Sequence, residues 1–348
     1  MSSNHTCVHL LGAGASTHAG YPLVSNFIST LFKNKPSGGF QLEQLFNLVK
    51  IAVDRFQGKN IEELIMLASS PNNPEYKRVV EMVVTGNDID KIGQQYIIIP
   101  LKYSVVYLLD QIAHIAPSTA AVENFVAKTD GTIITFNWDT LFDAVIAKQL
   151  GLDWLDVKSN QESNRKYLKL HGSADCLYCL NCKEAFRVDI STLVAKWTES
   201  TYSCPFCGGI ESHNIETRSY ASEPFIIGFS NDKRDELARI PLLQGQWNIA
   251  RKELIDCDEL IVHGFSFNTL DNHVLFFLDS VMRMRKKDMS VKIINPDNGD
   301  RFRLDVLAAF GGKPDIDLNG EQVSFKCYEH CVEIEFKSID FIKYTRSL

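Results

Sequence analysis

Three groups of polar residues in this sequence each follow a short apolar run, and their residue types could act together on a phosphorylated ligand. They are Gly12-x-Gly14-x-Ser16, Thr135-x-Asn137-x-Asp139 and His171-Gly172-Ser173. Two glycines let a backbone approach a pyrophosphate closely. An amide and a carboxylate can orient a ligand, and an imidazole can take a proton near neutral pH. The three groups therefore indicate a candidate nucleotide site with a candidate general base.

Each group, taken alone, also has a purely structural explanation. The dinucleotide-binding fingerprint has a third glycine where this chain has Thr17, so a tight turn would explain the first group. Asp139 could cap the next helix through an Asx turn, and a single histidine after a strand is more often structural than catalytic. The ordered set favours a site, because ligands bind outside the carboxyl ends of the strands in an open parallel sheet.

The elements that position these groups are short apolar runs with the length of buried strands. The runs are 8–11, 132–136, 168–170, 225–228, 259–262 and 290–294, and residues 323–341 predict further short strands. Helical spacing of apolar residues separates several runs, as in Leu141, Phe142 and Val145. Strands alternating with helices predict an α/β fold with a Rossmann-like parallel sheet. We expect Ser16 or Thr17 to cap a helix directly after the glycine turn, whose N-terminus would favour an anion.

A different pattern fills residues 23–115. Apolar residues recur there at helical spacing, first through Leu42, Leu45 and Phe46 and again over 61–68. Proline and glycine breakers at 36–39 and 71–74 separate these helices. We interpret this region as a helical insertion into the α/β domain.

Two CxxC pairs follow the third polar group. Their cysteines are Cys179, Cys182, Cys204 and Cys207. Each CxxC turn points two thiolates at one ion, and two such turns complete a closed tetrahedral site, so we expect a structural zinc in a small zinc-ribbon module. Cys176 leaves the register open, and Lys183 after the second cysteine of the first pair favours Cys179 and Cys182. We interpret the remaining cysteines as buried apolar residues, namely Cys7, Cys257, Cys327 and Cys331.

Composition and charge restrict the classes of function. The chain has 348 residues, of which 45% are hydrophobic and 23% charged, as in ordinary globular proteins. Its formal charge of −7 argues against a mainly electrostatic nucleic-acid binder, so we expect no direct nucleic-acid binding. We interpret the basic run 282–287 as a solvated helix end. No signal peptide and no apolar segment of roughly 20 residues is visible, so we expect a cytoplasmic protein without membrane contact.

The order of the glycine turn, the Thr-x-Asn-x-Asp group, the His-Gly pair and the two CxxC pairs resembles the SIR2 (sirtuin-like) family. The likeness continues in Gly264-Phe265-Ser266 and in Ile294-Asn295, which are similar to a Gly-Thr-Ser loop and a ribose-binding Ile-Asn of that family. The match covers residues from about 8 to 297, with the helical region poorly matched. The resemblance implies a Rossmann-like NAD-binding domain, NAD as substrate and a structural zinc.

The resemblance also implies roles for single residues. Asn137 would position the attacking water beside the nicotinamide ribose, His171 would be the general base, and Asp139 would orient the carboxamide or fix Asn137. The expected NAD-binding residues are Gly12, Ala13, Gly14, Ser16, Thr135, Gly264, Ser266 and Asn295. Further candidates for the cleft, with structural roles as the alternative, are His18, His263, Asp271 and His273.

Departures from the protein-deacylating sirtuins favour a different reaction. Those enzymes have Asp-Phe-Arg after the glycine loop, where this chain continues from Leu23, and a glutamine where it has Phe136. Their Phe-Gly-Glu is Gly-Phe-Ser here, at residues 228–230. The aromatic residue inside the Asn-Asp pair, and Asp271 and His273 after the Gly-Phe-Ser of 264–266, are more similar to SIR2-like effectors of bacterial anti-phage defence, which are NAD glycohydrolases.

We therefore expect an NAD+ hydrolase that cleaves the nicotinamide–ribose bond. One alternative is a sirtuin-type protein deacylase or ADP-ribosyltransferase, which the zinc ribbon favours. Another is a non-enzymatic module that binds NAD or ADP-ribose. Because a free NADase would be toxic, we expect a gated effector of antiviral defence that forms a homo-oligomer and has an activating partner, such as an ATPase or a nucleic-acid sensor.

The expected organisation places an insertion and a module within one domain. It comprises the first part of the Rossmann-like NAD-binding domain at 1–22, a helical insertion at 23–115, the second, catalytic part at 116–174, the zinc-ribbon module at 175–214, and the third part with the C-terminal strands at 215–348.

Overall fold

The computed structural model describes residues 6–34, 46–47, 49–50, 53–54, 59–61, 63–64, 95–115, 118–189, 201–208, 210–212, 222–227, 237, 240–267, 271–297, 299–312, 321–328 and 330–348. The expected breakers at 36–39 and 71–74, and the Gly-Phe-Ser segment at 228–230, lie outside these residues. Within the described ranges, no helix has both the length and the apolar character needed to cross a membrane.

The strands and helices alternate along most of the chain. The strands are β1 Cys7–Leu11, β2 Thr132–Thr135, β3 Tyr167–Lys169, β4 Gly172–Cys179, β5 Ala185–Arg187, β6 Thr201–Ser203, β7 Ile210–Ser212, β8 Ser222–Ile226, β9 Glu259–His263, β10 Met289–Ile294, β11 Gln322–Cys327 and β12 His330–Lys337. The helices are α1 Phe27–Lys33, α2 Gln95–His114, α3 Ala120–Lys128, α4 Leu141–Leu150, α5 Val157–Glu162, α6 Pro241–Asp256, α7 Asn272–Met284, α8 Asp300–Ala309 and α9 Phe341–Ser347.

A seven-stranded sheet forms the centre of the fold, in the order β11-β12-β10-β9-β1-β2-β3. The pairs from β12 to β3 are parallel, and β11 joins the edge antiparallel to β12. The expected α/β fold with a Rossmann-like parallel sheet is confirmed. The strand order reverses between β1 and β9, and a crevice at such a switch point is where open α/β sheets bind ligands.

The central strands are buried on both faces, because apolar residues stand at almost every position. Leu10 and Val262 pack into a core on one face, and Leu11 and Ile261 pack into a second core on the other. Burial on both faces is typical of parallel sheets covered by helices. It also fixes the register, because a shift by one residue would exchange the two cores.

The segment after the glycine turn differs from its prediction. Two 3-10 turns, Ala13–Ala15 and Thr17–Ala19, follow β1, and the first α-helix begins only at Phe27. The hydroxyl of Thr17 donates to Gly14 O at 2.9 Å and caps no helix, and Ser16 makes no side-chain capping bond. Gly20, with a φ of 87°, ends the second turn. The expectation that Ser16 or Thr17 caps a helix here is therefore wrong.

The run 225–228 also differs from its prediction as a strand of the parallel sheet. Its first two residues, Phe225 and Ile226, form the end of β8, which pairs antiparallel with β4 in a separate three-stranded sheet of order β5-β4-β8. The eight-residue β4 was not expected as a strand, because polar residues interrupt its apolar pattern. Helix α2 packs on β4 and β8, and Lys102 of this helix forms an ion pair with Glu223 at 3.3 Å.

The C-terminal region contains the expected strands and one helix that the pattern did not reveal. Strands β11 and β12 form a hairpin at the sheet edge. Helix α9 then begins after Asp340, whose carboxylate accepts from Lys343 N at 2.8 Å. The ring of Phe341 in this helix packs against Phe125 of α3 at 5.3 Å.

The basic run 282–287 is a helix end, but it is not solvated throughout. Arg285 is 2% exposed and donates hydrogen bonds to the carbonyl oxygens of Leu254, Ile255 and Cys257 at 2.5 to 3.0 Å. These carbonyls end α6, so Arg285 satisfies the last turn of a neighbouring helix.

Candidate active site and four-cysteine centre

A cavity of about 290 Å³ lies at the carboxyl ends of β1, β2 and β9, at the switch point of the sheet. Seven of the expected site residues line it, namely Gly12, Ala13, Asn137, Asp139, His171, Gly264 and Ser266. The other expected residues of the site lie outside its lining, namely Gly14, Ser16, Thr135 and Asn295. Residues that are up to 259 positions apart in sequence, from Gly12 to Asp271, therefore meet at one cavity, as is typical of ligand sites in parallel sheets.

The side chain of Asn137 joins the ends of the first two strands. Its Nδ2 donates to Gly12 O at 3.0 Å and to Ser16 Oγ at 3.2 Å. Its backbone N–H donates to Thr135 Oγ1 at 3.0 Å. Because a carbonyl oxygen can only accept, the bond to Gly12 fixes which end of the amide is nitrogen. Asn137 is therefore held in one orientation at the cavity.

Asp139 has a structural contact and a contact toward the site. Its Oδ1 accepts from Leu141 N at 3.1 Å, which is the Asx turn considered for this position. Its carboxylate also bonds the side chain of Ser16, which in turn bonds Asn137. Burial raises the pKa of Asp139, and the nearby charge of Lys169 opposes that shift. The carboxylate thus supports Asn137 through Ser16.

Beneath this loop lies a fully buried lysine that the sequence pattern did not single out. Lys169 is 0% exposed, and its Nζ donates to Asp139 O at 2.5 Å and to Asp143 Oδ2 at 2.7 Å. Burial raises the pKa of Asp143 to about 6, although Lys169 opposes the shift. A lysine between two leucines in a strand is a signal for such a site, since Lys is rarely buried without a partner.

The glycine loop is held by backbone hydrogen bonds across the switch point. Gly12 N donates to His263 O and Gly14 N donates to Gly264 O, both at 2.9 Å. Gly264 has a φ of 59°, and a Cβ on it would lie 2.5 Å from the carbonyl carbon of Gly14. Only glycine fits this contact. The amide groups of Gly12 and Gly14 are thus used within the chain, while Ala13 faces the cavity.

His171 is almost fully buried at the end of β3, with 1% exposure. Its Nε2 lies 2.7 Å from Nε2 of His273 in α7. The ring of Phe136 packs against His171 with centroids 4.9 Å apart, and the indole of Trp247 lies at 6.3 Å. The aromatic residue between Thr135 and Asn137 therefore forms part of the packing around the candidate base.

The four further candidates for the cleft separate into two groups. Asp271 lines the cavity and His273 bonds His171. His18 instead stacks on Phe341 with ring centroids 5.5 Å apart, and His263 bonds His9 at 3.3 Å. Neither histidine belongs to the cavity lining.

The side chain of Asn295 is hydrogen-bonded to neighbouring backbone groups. Its Nδ2 donates to Phe265 O at 3.1 Å, and its Oδ1 accepts from Asp297 N at the same distance.

Part of the cavity wall comes from segments whose role the sequence did not indicate. Residues 21–25 and 27 line it directly after the glycine turns. Asn60, Ile61 and Leu109 line it from the helical region that we interpreted as an insertion. These residues are mostly apolar, and an apolar side chain on a helix carries no mark that distinguishes a cavity wall from a core.

The four expected cysteines come together at one point. Their sulfur atoms all lie within 4.8 Å of one another, with Cys179 and Cys207 at 3.9 Å and Cys182 and Cys204 at 3.5 Å. Tetrahedral zinc with Zn–S bonds of about 2.3 Å places sulfurs about 3.8 Å apart, so the cluster fits a closed zinc site. A metal bound here would have a structural function, because four thiolates leave no open position.

The two CxxC turns have the same geometry. Lys183 N donates to Cys179 O and Gly208 N donates to Cys204 O, both at 2.9 Å. The residues that follow the second cysteines, Lys183 and Gly208, have φ values of 65° and 63°. Cys176 is buried and bonds Asp175, apart from the cluster. The cluster therefore contains Cys179 and Cys182 and does not contain Cys176.

Three of the four other cysteines are buried or half-buried, as expected. Cys331 is exposed, so its interpretation as a buried residue is wrong. It lies on the hairpin strand β12, where alternate residues face solvent.

Comparisons with known proteins find similarity at the level of structure. No family model and no curated protein matches the sequence. A sirtuin structure concerned with substrate affinity matches at 15% identity over 98% of this chain and 92% of its own, with a TM-score of 0.42. A Sir2 structure with a peptide and NAD+ matches at 15% identity over 98% and 91%, with a TM-score of 0.40.

A Sir2 homologue in complex with ADP-ribose also matches, at 17% identity over 86% of this chain and 83% of its own, with a TM-score of 0.41. The proteins found are of the family that the motif order resembles. At this level of identity, the similarity concerns the arrangement of the chain and not its reaction.

Proposed function

We propose that this chain is a SIR2-like NAD+ hydrolase that cleaves the nicotinamide–ribose bond at the cavity lined by Asn137 and His171. The observation that carries the proposal is their convergence. An oriented amide and a buried histidine, from the ends of neighbouring strands, line one cavity at the switch point of the sheet. The motif order supports NAD as the ligand.

In this reaction the bond between C1′ and the nicotinamide nitrogen breaks, and nicotinamide leaves with the bonding electrons. The ribose carbon becomes cationic, and the carboxylates of Asp139 and Asp271, which share the cavity, would stabilise that charge. A water molecule held by Asn137 adds to C1′ and gives ADP-ribose. The proton that this water loses passes to His171, which acts as the general base.

The four-cysteine site favours a second candidate, a sirtuin-type protein deacylase or ADP-ribosyltransferase. In that case C1′ would be captured by an acyl oxygen or a protein side chain instead of water. The two candidates differ in what they need. A hydrolase releases nicotinamide and ADP-ribose from NAD+ alone, whereas a deacylase needs an acyl-lysine peptide and yields O-acyl-ADP-ribose.

The test follows nicotinamide release from NAD+ by the purified full chain, with and without an acyl-lysine peptide. Asn137→Ala and His171→Ala are each expected to reduce kcat by about 100-fold or more, because they remove groups at the reacting atoms. Matched controls are the exposed Asn34→Ala and His114→Ala, which should retain wild-type rates. Full activity in either site variant would refute the assignment.

We further propose that the activity is gated in a defence role by self-association or by an activating partner. The assay is therefore run on the isolated chain and on any oligomer that size-exclusion chromatography separates. It is repeated after adding the protein encoded by the neighbouring gene. Nicotinamide release in none of these preparations, from a chain shown to bind NAD+ and leave it intact, would favour a nucleotide-binding module instead.

A further inference from the structure

The contact between His171 and His273 has no function in the reaction as described so far. Their Nε2 atoms are 2.7 Å apart and their ring centroids 4.8 Å apart. His171 is buried at 1% exposure, whereas His273 is half-buried on α7. The pair therefore connects the candidate base with the solvent side of α7.

The distance identifies the contact as a hydrogen bond and not as a pair of metal ligands. Two imidazole nitrogens bound to one tetrahedral zinc lie about 3.3 Å apart, because each Zn–N bond is about 2.0–2.1 Å. Among the described residues, the four cysteines are the one cluster of three or more groups that fits a metal. A nitrogen–nitrogen hydrogen bond needs one donor and one acceptor, so the tautomer of one ring fixes that of the other.

We propose that His273 is a positioning residue for His171, accepting a hydrogen bond from His171 Nε2–H and so leaving the lone pair of His171 on Nδ1. This inference rests on the proposed function, because it concerns the same base. A neutral histidine here has the function that a carboxylate has in a catalytic triad, which is to fix the tautomer and orientation of the base.

The pair also gives the abstracted proton a route out of the cavity. The proton lost by the attacking water binds His171 Nδ1, and the Nε2 proton of His171 then moves to Nε2 of His273. Positive charge thereby moves from the buried ring to the half-buried one, where water can remove the proton. No oxidant or further reactant is needed, and His171 ends neutral.

The surroundings of the pair restrict what else could govern its protonation. Trp247 of α6 faces both rings, with centroids 6.3 Å from His171 and 5.8 Å from His273, and Phe136 packs on His171. Among the residues that the structure describes, the other ionisable groups that line the cavity are Tyr21, Asp139 and Asp271. Neither carboxylate replaces His273, because the hydrogen bond at 2.7 Å already occupies Nε2 of His171.

The first experiment measures kcat, KM and the pH profile of nicotinamide release for wild type, His273→Phe and His273→Gln. Phenylalanine keeps the ring packing and removes the acceptor, and we expect a loss of about 100-fold in kcat with little change in KM. The acid limb of the profile should move to lower pH, because a protonated His171 loses a hydrogen bond that favours its charged form.

Glutamine is the conservative variant, because its side-chain oxygen can accept from His171 Nε2–H but cannot carry the proton onward. We expect it to recover kcat to within about tenfold of wild type and to restore the position of the acid limb. His114→Gln, on the exposed end of α2, is the matched control and should behave as wild type. If His273 had only a structural role, the pH profile would not depend on whether the side chain at position 273 can accept a hydrogen bond.

The second experiment does not depend on catalysis. In protein with ¹⁵N-labelled imidazoles, His171 should show a protonated Nε2 and an unprotonated Nδ1, and His273→Phe should remove that preference while the circular dichroism spectrum stays unchanged. The opposite tautomer of His171 in wild type, or an unaltered kcat and pH profile in His273→Phe, would overturn the inference. An inactive wild type with the expected tautomer would instead refute the proposed function alone.

Discussion

The four-cysteine centre and the cavity differ in how far apart their residues lie in the chain. The cysteines span residues 179 to 207, and each of two short turns with similar backbone geometry brings two of them together. The cavity draws on residues from Gly12 to Asp271, and the strand order of the sheet brings together those that follow the strand ends. The first site is thus a property of local turns, and the second is a property of topology.

The largest expected effect tests whether the cysteine centre is a folding element. Cys204→Ser removes one of four ligands, and structural zinc contributes on the order of 10 kcal/mol to small zinc modules. We expect loss of bound zinc and a large loss of soluble protein, with the same result when a strong chelator removes the metal. Cys176→Ser, at a buried cysteine outside the cluster, is the control and should retain zinc. Full zinc content in Cys204→Ser would contradict the ligand set.

The next effect tests whether the cavity depends on a buried charge. Lys169→Met leaves Asp143 buried without its cation and should reduce the free energy of unfolding by about 3–5 kcal/mol. Since Asp139 O also loses its donor, activity should fall with stability. The double variant Lys169→Met/Asp143→Leu removes both charges and should recover most of the loss in a urea titration. A double variant no more stable than Lys169→Met would show that the ion pair does not govern this loop.

A third prediction concerns the buried histidine pair beneath the strand ends. Burial lowers the pKa of His9 to about 4, and burial followed by the neighbouring His9 lowers that of His263. In the unfolded chain both imidazoles bind a proton near pH 6.5, whereas in the folded chain they stay neutral to much lower pH. The free energy of unfolding is therefore highest above pH 6.5 and decreases as the pH falls toward 4. Each histidine should lower the free energy of unfolding by about 1.3 kcal/mol when the pH is reduced from 7.5 to 5.5.

Urea titrations of wild type and His9→Leu at these two pH values check this prediction. The variant should lose about half of the pH dependence, with zinc content measured at both pH values so that acid release of the metal is recognised. An equal pH dependence in both proteins would exclude His9 as its source.

The smallest effect compares the two cysteine turns with each other. Lys183 has a positive φ that costs a side-chain residue roughly 1–2 kcal/mol, so Lys183→Gly should stabilise the protein by up to about 1 kcal/mol. Gly208→Ala introduces the same strain in the second turn and should destabilise it by about as much. Thermal unfolding of the zinc-loaded proteins measures both. Shifts of equal sign would show that the turns are not equivalent.

The sequence predicted best what local spacing determines. The CxxC spacing identified the four cysteines whose sulfur atoms come together, and apolar runs predicted the central strands to within one or two residues. It did not reveal the partner of Lys169 or the bond between His171 and His273, because both depend on which helices pack beside the end of β3. It also assigned Phe225 and Ile226 to the wrong sheet, since an apolar run does not indicate its partner strand.

The glycine turn shows a further limit. The pattern of two glycines and a serine predicts a helix start, yet backbone bonds to His263 and Gly264 hold this segment in 3-10 turns. Backbone contacts between residues 250 and 251 positions apart leave no trace in side-chain periodicity.

That same contact divides the cavity into a part that can be redesigned and a part that cannot. Where Gly12, Gly14 and Gly264 meet, the two backbone segments are in direct contact. A Cβ atom at any of these positions would clash with the facing backbone. Another part of the lining consists of side chains that can be substituted one at a time. It is formed by residues 21–25 and 27 with Ile61 and Leu109. Substitutions intended to admit a bulkier substrate should therefore be made among these side chains, and the three glycines should be retained.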